Sequence, residues 1–411
     1  MSAQDGVPTL AASTALAVDG AVLVDLRAPA EFAADHIEGA RNVPLLDDDE
    51  RALVGLLYRR ESRQAAFEAA RERVRASVGR LVASIGELAG WTPPRRDPAQ
   101  VVDELACDGI EAMDRRVRAR PLERAPARPV ILCCWRGGLR SRSVTALLRE
   151  LGLERVVAIE GGYKSCRAQL VVRLESFEAP RTYVLRGLTG VGKTLVLREL
   201  ERQRRGWTLD LEATAGHRSS LLGAAGLEPA TQKQFENRIA QRIARGPGAG
   251  VLVLEGESRK VGNVIVPSRV WRALETGASL ELVAPTERRI DVLIADYLAT
   301  AGGRIELRAS LSELARRISA GWAVDLVSLL DHGRERELVA LLLERWYDPR
   351  YRHSQQGRGA RASFDSTDPV RCAHELADWI ERDLSHAHAP ELDPMAPVVS
   401  APTRGLDSRA T

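Results

Sequence analysis

One glycine-rich motif near the middle of the chain constrains the fold more than any other feature. Residues 187–194 read GLTGVGKT, which matches the phosphate-loop pattern G-x-x-x-x-G-K-[ST]. The apolar stretch TYVLR precedes the motif, and the helix-like stretch LVLRELERQ follows it. A strand, a tight glycine turn and a helix in that order are typical of an α/β domain with a parallel sheet.

The chemistry of these residues suits a polyphosphate group. Glycines let successive backbone amides curl around phosphate oxygens, a lysine adds a compact charge, and a threonine hydroxyl can bind Mg²⁺. The motif does not identify which phosphate-bearing ligand binds. The residues expected to contact phosphate are Gly187, Gly190, Gly192, Lys193 and Thr194.

Acidic residues near the ends of two later strands are candidates for holding that Mg²⁺. The apolar run at 208–211 contains Asp210, and the run at 251–254 is followed by Glu255. Acids in such positions can bind the water shell of a metal beside a phosphate loop. Ordinary solvation of strand ends is an equal alternative. We therefore expect a magnesium site made by Thr194, Asp210 and Glu255, without choosing between the two acids.

A cysteine on a second strand-to-helix turn is the other chemical signal. Residues 134–140 read CWRGGLR, between the strand-like run PVILC and the helix-like run SRSVTALLRE. Amides at a helix N-terminus form an anion site, and the same positive field favours a reactive thiolate. Simple packing of a free cysteine is the alternative. We expect Cys134 to be the nucleophile, with the anion bound by Arg136, Gly137, Gly138 and Arg140.

The other cysteines have no such context. The chain contains five, an odd number without metal-type spacing, so reduced thiols are expected rather than disulfides. Cys133 is expected to point to the opposite side of the strand and to be buried, with a resolving thiol as the alternative.

The order of strands and helices predicts two α/β domains and a tail. Strand-like runs lie at 21–25, 129–134, 156–160, 182–185, 208–211, 251–254 and 280–283, with helix-like sequence between them. The predicted domains are residues 8–172 and 180–384. Residues 385–411 are rich in Pro, Ala and Ser without periodicity, which predicts a disordered tail.

The charge and hydropathy patterns exclude several classes of protein. The chain has 59 basic and 56 acidic residues, so any contact with nucleic acid must come from a local patch. No apolar run approaches the roughly 18 residues of a membrane span, and no signal peptide is visible. A cytoplasmic protein without a membrane partner is expected.

Several short motifs together resemble a known family. Residues 25–27 (DLR), 36–40 (HIEGA) and 42–44 (NVP) resemble the opening of a rhodanese domain, and 161–163 (GGY) resembles its closing turn. With the phosphate-loop half, residues 8–384 resemble the tRNA 2-selenouridine synthase family. The fold implied is α/β: an N-terminal rhodanese-like parallel-sheet domain followed by a P-loop NTPase-like α/β domain.

The resemblance implies a transferase that modifies the wobble uridine in the anticodon arm of tRNA. The sulfur of 2-thiouridine is replaced by selenium from selenophosphate, through an S-geranyl intermediate made with geranyl diphosphate. Both small molecules are co-substrates, and no tightly bound cofactor is expected apart from Mg²⁺ at the phosphate loop. A nucleotide is the alternative ligand for the phosphate loop.

Motifs in the second half supply candidate contacts for substrate or RNA. These are His217, Arg218, Arg259 and Lys260, within stretches that resemble the family. Trp346, Tyr347 and Tyr351 are expected to pack in the core, with stacking of an unpaired base as the alternative.

The sequence also departs from the family pattern. Residues 217–220 read HRSS and residues 255–257 read EGE, where a further glycine and a further acid are expected. The loss of the acid weakens the magnesium assignment. Five residues separate Cys134 from Arg140, a spacing that also occurs in cysteine phosphatases of rhodanese-like fold.

Two other functions stay open on the sequence alone. One is a cysteine phosphatase or sulfurtransferase of rhodanese fold, fused to a nucleotide-binding module. The other is a non-catalytic binding protein regulated by a nucleotide.

Overall fold

Two parallel β-sheets, one in each half of the chain, organise the molecule. The computed structural model describes residues 6–218, 227–246, 248–298, 301–317, 325–354 and 359–387. Both halves are α/β with helices packed against the sheets, as the sequence predicts.

The first sheet has six strands, and the loop of Cys134 follows one of its interior strands. The strands are β1 (Val7–Leu10), β2 (Val22–Asp25), β3 (Arg41–Asn42), β4 (Ala119–Pro121), β5 (Val130–Cys133) and β6 (Val156–Ile159). Their order is β3-β2-β5-β6-β1-β4, and all neighbours are parallel. All four residues of β5 are buried, as expected when helices cover both faces of a parallel sheet.

Two groups of helices belong to this half. Helices α1 (Ala12–Leu16), α2 (Pro29–Ala34), α7 (Leu139–Glu150) and α8 (Gly162–Glu175) follow strands β1, β2, β5 and β6. Between β3 and β4 lie α3 (Asp48–Arg60), α4 (Arg63–Ala89), α5 (Pro98–Ala106) and α6 (Gly109–Arg116). A capping box of Asp47 and Glu50 begins α3, and Gly90 in the left-handed conformation ends α4. Val82 and Ile85 of α4 pack in one core with Leu132 of β5.

The second sheet has five strands and carries the phosphate loop on its central strand. The strands are β7 (Arg181–Arg186), β8 (Thr208–Leu209), β9 (Val251–Glu255), β12 (Ala278–Val283) and β13 (Ala362–Asp365). Their order is β13-β12-β7-β9-β8, again all parallel. An antiparallel hairpin of β10 (Lys260–Val261) and β11 (Val264–Ile265) is separate from this sheet.

The helices of this half include a group that forms its own apolar core. The helices associated with the sheet are α9 (Lys193–Gln203), α10 (Leu211–Ala215), α11 (Gln232–Ala244), α12 (Ser268–Thr276) and α18 (Pro369–Ala387). The other group, which we call the helical cap, consists of α13 (Thr286–Leu298), α14 (Ala301–Arg317), α15 (Leu326–Asp331), α16 (Glu335–Leu342) and α17 (Asp348–Ser354). A π-helical turn, Leu343–Tyr347, joins α16 to α17. Turns of this kind are rare and often occur at functional sites.

The two halves share part of their core. Leu170 and Leu174 of α8 are buried in a cluster that otherwise consists mostly of second-half residues, among them Phe235 and Ile239 of α11. Arg167 of α8 also donates a hydrogen bond to the side-chain oxygen of Asn237 (2.5 Å). Helix α8, which begins beside the Cys134 loop, is therefore the element that connects the two halves.

The seven predicted strands correspond to β2, β5, β6, β7, β8, β9 and β12. Three boundaries differ at candidate residues. Strand β5 ends before Cys134, and β9 includes Glu255. Strand β8 ends at Leu209, so Asp210 is the N-cap of α10 rather than part of the strand. Helix α18 continues to Ala387, so residues 385–387 of the predicted tail are helical, and 388–411 lie outside the described residues. Within the described ranges, no helix is both long and apolar enough to cross a bilayer.

Candidate functional site

The Cys134 loop lies at the carboxyl end of β5 and is locked to the start of α8. The carbonyl oxygen of Cys134 accepts a hydrogen bond from the Tyr163 amide (2.8 Å). Gly137 has φ +61°, and a Cβ there would lie 2.3 Å from the carbonyl oxygen of Ile159. Only glycine fits this position, because another side chain would be strained and would collide with backbone.

The thiol of Cys134 faces a hydroxyl at the start of α7. Its Sγ lies 3.2 Å from Ser141 Oγ, and the residue is only 2% exposed. The N-cap of α7, Gly138, provides no side-chain hydrogen bond to the helix. The first-turn amides and the positive end of the helix dipole therefore lie beside the thiol, with exposed Arg136 and half-buried Arg140 on the same loop. This arrangement suits a small oxyanion.

Three of the other cysteines, Cys133, Cys166 and Cys372, are buried, whereas Cys107 is exposed and its Sγ lies 3.7 Å from Arg116 Nη1. Cys133 is fully buried, and burial first, then the charge of Asp25, raises the pKa of its thiol. Burial likewise raises the pKa of Cys166 and of Cys372 to about 12. Cys133 thus packs inside the sheet, as expected.

A buried polar network joins the Cys134 loop to the second half. Tyr163, whose amide holds Cys134, donates its hydroxyl to Asp35. Asn237 of α11 donates its amide to both carboxylate oxygens of Asp35 (2.8 and 3.0 Å). Burial raises the pKa of Asp35, although Arg167 and Asn237 oppose the shift. A residue of the phosphate-loop half is therefore two hydrogen bonds from the residue that holds the cysteine.

The phosphate loop has the backbone that its sequence predicts. Gly187 has φ +143° and Gly190 has φ +82°, and a Cβ at these positions would lie 2.4 Å from Leu282 O and 2.8 Å from Arg289 O. Gly192, also left-handed, is the N-cap of α9 and is followed by Lys193. The glycines allow the loop to turn tightly against its neighbours and into the helix.

Lys193 and Thr194 lie among acids, of which Glu255 is fully buried and Glu212 and Glu257 are half-buried. Thr194 Oγ1 is 3.2 Å from Glu255 Oε2 and 3.4 Å from Glu212 Oε2. Burial, followed by the charge of Glu257, raises the pKa of Glu212 to about 8, and burial also raises the pKa of Glu255 well above its usual value. Burial opposes the charge of Lys193, but Glu257 and its neighbours outweigh it, so the lysine pKa is raised.

These contacts fit a magnesium ion only in part. Thr194 is in contact with Glu255. The Asp210 carboxylate accepts the Ala213 amide as a helix cap (2.7 Å) and also lies beside Glu255, where its charge and hydrogen bond contribute to the raised pKa of Glu255 after burial. The described ranges contain no cluster of three or more His, Cys, Asp or Glu residues suited to a metal. An ion here would take Thr194 and Glu255 as protein ligands and complete its shell with phosphate oxygens and water.

A cavity of about 890 Å³ opens from the phosphate loop. Its charged end contains Lys193, Thr194 and Glu212, and much of its remaining wall is apolar or aromatic. The apolar and aromatic part is formed by Leu195, Leu227, Trp271, Val292, Leu293, Tyr297, Trp346, Tyr347 and Tyr351. The cavity therefore suits a ligand with a phosphate group at one end and an apolar body.

The helical cap is tied to the phosphate loop at two points. The Tyr351 hydroxyl accepts the amide of Gly187 (2.6 Å). Buried Arg289 donates to the carbonyl oxygen of Thr189 (2.8 Å) and forms an ion pair with Asp348 (2.5 Å). Helix α17 is thus held in a fixed position relative to the loop.

The four candidate contacts from the second half separate into two groups. Arg218 lines the cavity, donates to the carbonyl oxygen of Asp296 (2.7 Å) and lies over the Tyr297 ring at 5.1 Å. His217 is beside it, and burial lowers the pKa of its imidazole. Arg259 and Lys260 are exposed and do not line the cavity.

Some residues of the two sites were not singled out from the sequence. Ser141 could have been noted because a hydroxyl directly after Arg140 falls in the first turn of α7. Arg289 gave no local signal, since its contact with Thr189 joins residues 100 positions apart. Trp346 and Tyr347 pack against the core of the helical cap, as expected, and also line the cavity.

Comparison with known proteins extends over both halves of the chain. The family profile described as "tRNA 2-selenouridine synthase AAA domain" matches residues 180–386, and that of "Rhodanese-like domain" matches residues 11–76. The tRNA 2-selenouridine synthase of Bordetella petrii is 31% identical over 373 residues, which cover 83% of this chain and 89% of the relative. That of Cupriavidus pinatubonensis is 31% identical over 396 residues, covering 89% and 96%. That of Hydrogenovibrio crunogenus is 28% identical over 369 residues, covering 83% and 91%.

Proposed function

The chain belongs to the tRNA 2-selenouridine synthase family, and we propose that it exchanges the sulfur of a wobble 2-thiouridine in tRNA for selenium. In this proposal selenophosphate is the selenium donor, and the exchange passes through an S-geranyl-2-thiouridine made from geranyl diphosphate. The names of the relatives support a tRNA-modifying transferase. The chemistry of the two sites supports the two donors.

The observation that carries the proposal is the composition of the cavity beyond the phosphate loop. Lys193 and the loop amides form a charged end, and side chains such as Leu195, Val292 and Leu293 continue it as an apolar wall. A geranyl chain is a hydrocarbon, and burial of apolar surface stabilises binding by about 25 cal/mol per Å². A prenyl diphosphate therefore matches both ends of the cavity.

The first step is an alkylation at the phosphate loop. The sulfur of 2-thiouridine attacks C1 of the geranyl chain, and a C–S bond forms while the C–O bond to diphosphate breaks. The electron pair leaves with diphosphate, and the N3 proton of the base passes to solvent. Lys193 and the loop amides stabilise the charge that develops on the leaving group. Mg²⁺ held by Thr194 and Glu255 would supply further charge neutralisation.

The second step uses the Cys134 loop. The thiolate attacks the phosphorus of selenophosphate, an S–P bond forms, and the P–Se bond breaks with release of selenide. Water then hydrolyses the cysteinyl phosphate, while selenide attacks C2 of the S-geranyl base and displaces geranylthiolate. Arg136, Arg140 and the first-turn amides of α7 hold the phosphoryl oxygens. The Ser141 hydroxyl, 3.2 Å from Sγ, stabilises the thiolate.

The proposal is tested by nucleoside mass spectrometry of tRNA containing wobble 2-thiouridine. Wild-type protein with geranyl diphosphate is expected to yield S-geranyl-2-thiouridine, and addition of selenophosphate is expected to yield 2-selenouridine. Cys134→Ser should stop at the geranylated nucleoside. Cys107→Ser, which changes an exposed cysteine away from the loop, is the matched control and should behave like wild type.

Unchanged wobble nucleosides with wild-type protein would overturn the proposal. Hydrolysis of an aryl phosphate that depends on Cys134, without any change in the RNA, would instead favour a cysteine phosphatase. Saturable binding of a nucleoside triphosphate that excludes geranyl diphosphate would assign the phosphate loop to a nucleotide.

A further inference from the structure

One wall of the phosphate-loop cavity combines aromatic rings with a guanidinium group that a prenyl diphosphate does not need. Trp346, Tyr347, Arg350 and Tyr351 line the cavity from the π-helical turn and α17. Their spacing in a continuous helix places them on one face. A hydrocarbon chain gains nothing from a guanidinium group, and the diphosphate already has Lys193 and the loop amides.

Two of these side chains form a stacked pair. The guanidinium carbon of Arg350 lies 3.3 Å from the centre of the Trp346 ring, and Arg350 Nη1 donates to the Trp346 carbonyl oxygen (3.0 Å). Arg350 is exposed and Trp346 is half-buried, so the pair lies where the cavity meets solvent. A guanidinium held against an indole ring provides a planar, cationic surface.

We propose that the Trp346–Arg350 pair is a subsite for an unpaired nucleotide of the RNA substrate. The base stacks on the pair, and the arginine charge attracts the adjacent phosphate. Unpaired RNA bases are recognised in this way, on aromatic rings and guanidinium planes, whereas paired bases are not. The proposal rests on the proposed function and assigns the RNA end of the same cavity.

The chemistry of the alkylation requires the base to enter this cavity. Sulfur must approach the prenyl carbon to within about 3–3.5 Å, so base and donor are bound side by side. A volume of about 890 Å³ is near the upper end of the roughly 300–1,000 Å³ that is usual for ligand pockets. The cavity is therefore large enough for a pyrimidine beside the donor.

The position of the pair relative to the phosphate loop is fixed by its neighbours. Tyr351, the residue after Arg350, accepts the Gly187 amide, and Asp348 is paired with Arg289, which also holds the loop at Thr189. The distance between the Trp346–Arg350 pair and the phosphate loop is thus set by α17. A nucleotide on the pair would be presented to a donor in the loop.

The experiment compares the binding of two ligands to the full chain. One ligand is an anticodon stem-loop RNA with 2-thiouridine at the wobble position, and the other is geranyl diphosphate without RNA. Arg350→Ala removes the charge, and Trp346→Leu removes the ring while keeping an apolar side chain against the core of the cap. Arg345→Ala is the matched control, because Arg345 is an exposed arginine of the same π-helical turn that does not line the cavity.

We expect Arg350→Ala and Trp346→Leu to weaken RNA binding by about 5- to 150-fold, the range for loss of one stacked base. Binding of geranyl diphosphate to Arg350→Ala and both affinities of Arg345→Ala should stay within about twofold of wild type. Trp346→Leu should weaken the binding of geranyl diphosphate less than the binding of RNA, because leucine keeps this part of the cavity wall apolar. If Arg350→Ala weakens geranyl diphosphate as much as RNA, or leaves RNA binding unchanged, the subsite is refuted while the proposed function stands. If wild-type protein does not bind the RNA, both proposals fail.

Discussion

The cysteine loop and the phosphate loop are built from the same parts but have different interiors. Each loop follows an interior parallel strand and turns on a glycine with positive φ. Each then enters a helix whose N-cap is a glycine, which has no side chain to cap the first-turn amides. Around Cys134 the loop is closed, and the thiol contacts a neutral hydroxyl. The phosphate loop instead opens into a cavity of about 890 Å³ that is lined by half-buried acids and a lysine. The backbone thus makes both loops suitable for an anion, and the walls determine how large a ligand each can hold.

The largest expected effect is at the phosphate loop. Lys193→Ala removes the only lysine among the residues that line the cavity, and loss of one group that stabilises the leaving diphosphate reduces catalysis by about 100- to 1,000-fold. S-Geranylation of 2-thiouridine tRNA, followed by mass spectrometry, measures this. Lys233→Ala, at an exposed position of α11, is the control. Equal loss in both variants would show that the effect is not specific to the cavity.

The next effect separates the two loops. Gly137→Ala places a Cβ 2.3 Å from Ile159 O at a position with φ +61°. Backbone strain of about 1–3 kcal/mol is therefore expected, and the Cys134 loop must distort. Selenation should fail while geranylation continues. Gly138→Ala is the matched control, since its Cβ would meet no atom within 4 Å.

Loss of geranylation in Gly137→Ala as well would mean that the two loops do not act separately. Urea unfolding of both glycine variants measures the strain. Similar free energies of unfolding for Gly137→Ala and Gly138→Ala would show that a Cβ at residue 137 does not collide with Ile159 O.

A smaller effect is expected at the connection between the loops. Asn237→Ala leaves buried Asp35 without its amide partner, which should lower the free energy of unfolding by about 1–3 kcal/mol. Because Asp35 holds Tyr163 and Tyr163 holds Cys134, the rate of Cys134 alkylation should change too. Gln234→Ala breaks a different hydrogen bond across the same boundary, to Ala33 O (2.9 Å), and should leave that rate unchanged. An alkylation rate unaffected by Asn237→Ala would show that the loops are independent.

The smallest effect is on the dependence of stability on pH. Burial raises the pKa of Glu212 to about 8 from its usual 4.5, so the folded protein keeps a proton that the unfolded chain releases between these values. The free energy of unfolding should therefore fall as pH rises through that interval. Glu212→Gln should flatten the decline, and Glu87→Gln, an exposed acid, should not. Unfolding by urea at several pH values measures the slopes, and equal slopes for all three proteins would contradict the burial of Glu212.

The sequence was most informative where chemistry is local. The strand, loop and helix at 187–194 and at 134–140 were predicted from adjacent residues, because a glycine turn, a charge and a helix start lie next to each other in the chain. The assignment of Asp210 to a strand was not correct, since its side chain caps α10. The Asn237–Asp35 contact and the Arg289–Thr189 contact join residues 202 and 100 positions apart, so no local pattern could reveal them. The roles given to the site residues stay predictions until the variants are measured.

The placement of Leu170 and Leu174 has a practical consequence for dissecting the protein. Leu170 lies in the first predicted domain, residues 8–172, and Leu174 lies in the segment between the two predicted domains, yet both leucines pack with the second half. Cleavage of the chain between residues 172 and 180 would leave a first fragment with solvent-exposed apolar side chains along α8. The second fragment would have an exposed apolar surface where these side chains pack in the intact protein. Contiguous exposed apolar surface of this kind promotes self-association. The two fragments should therefore be soluble only when they are produced together. Separate halves can then be studied by co-expressing them and letting them associate.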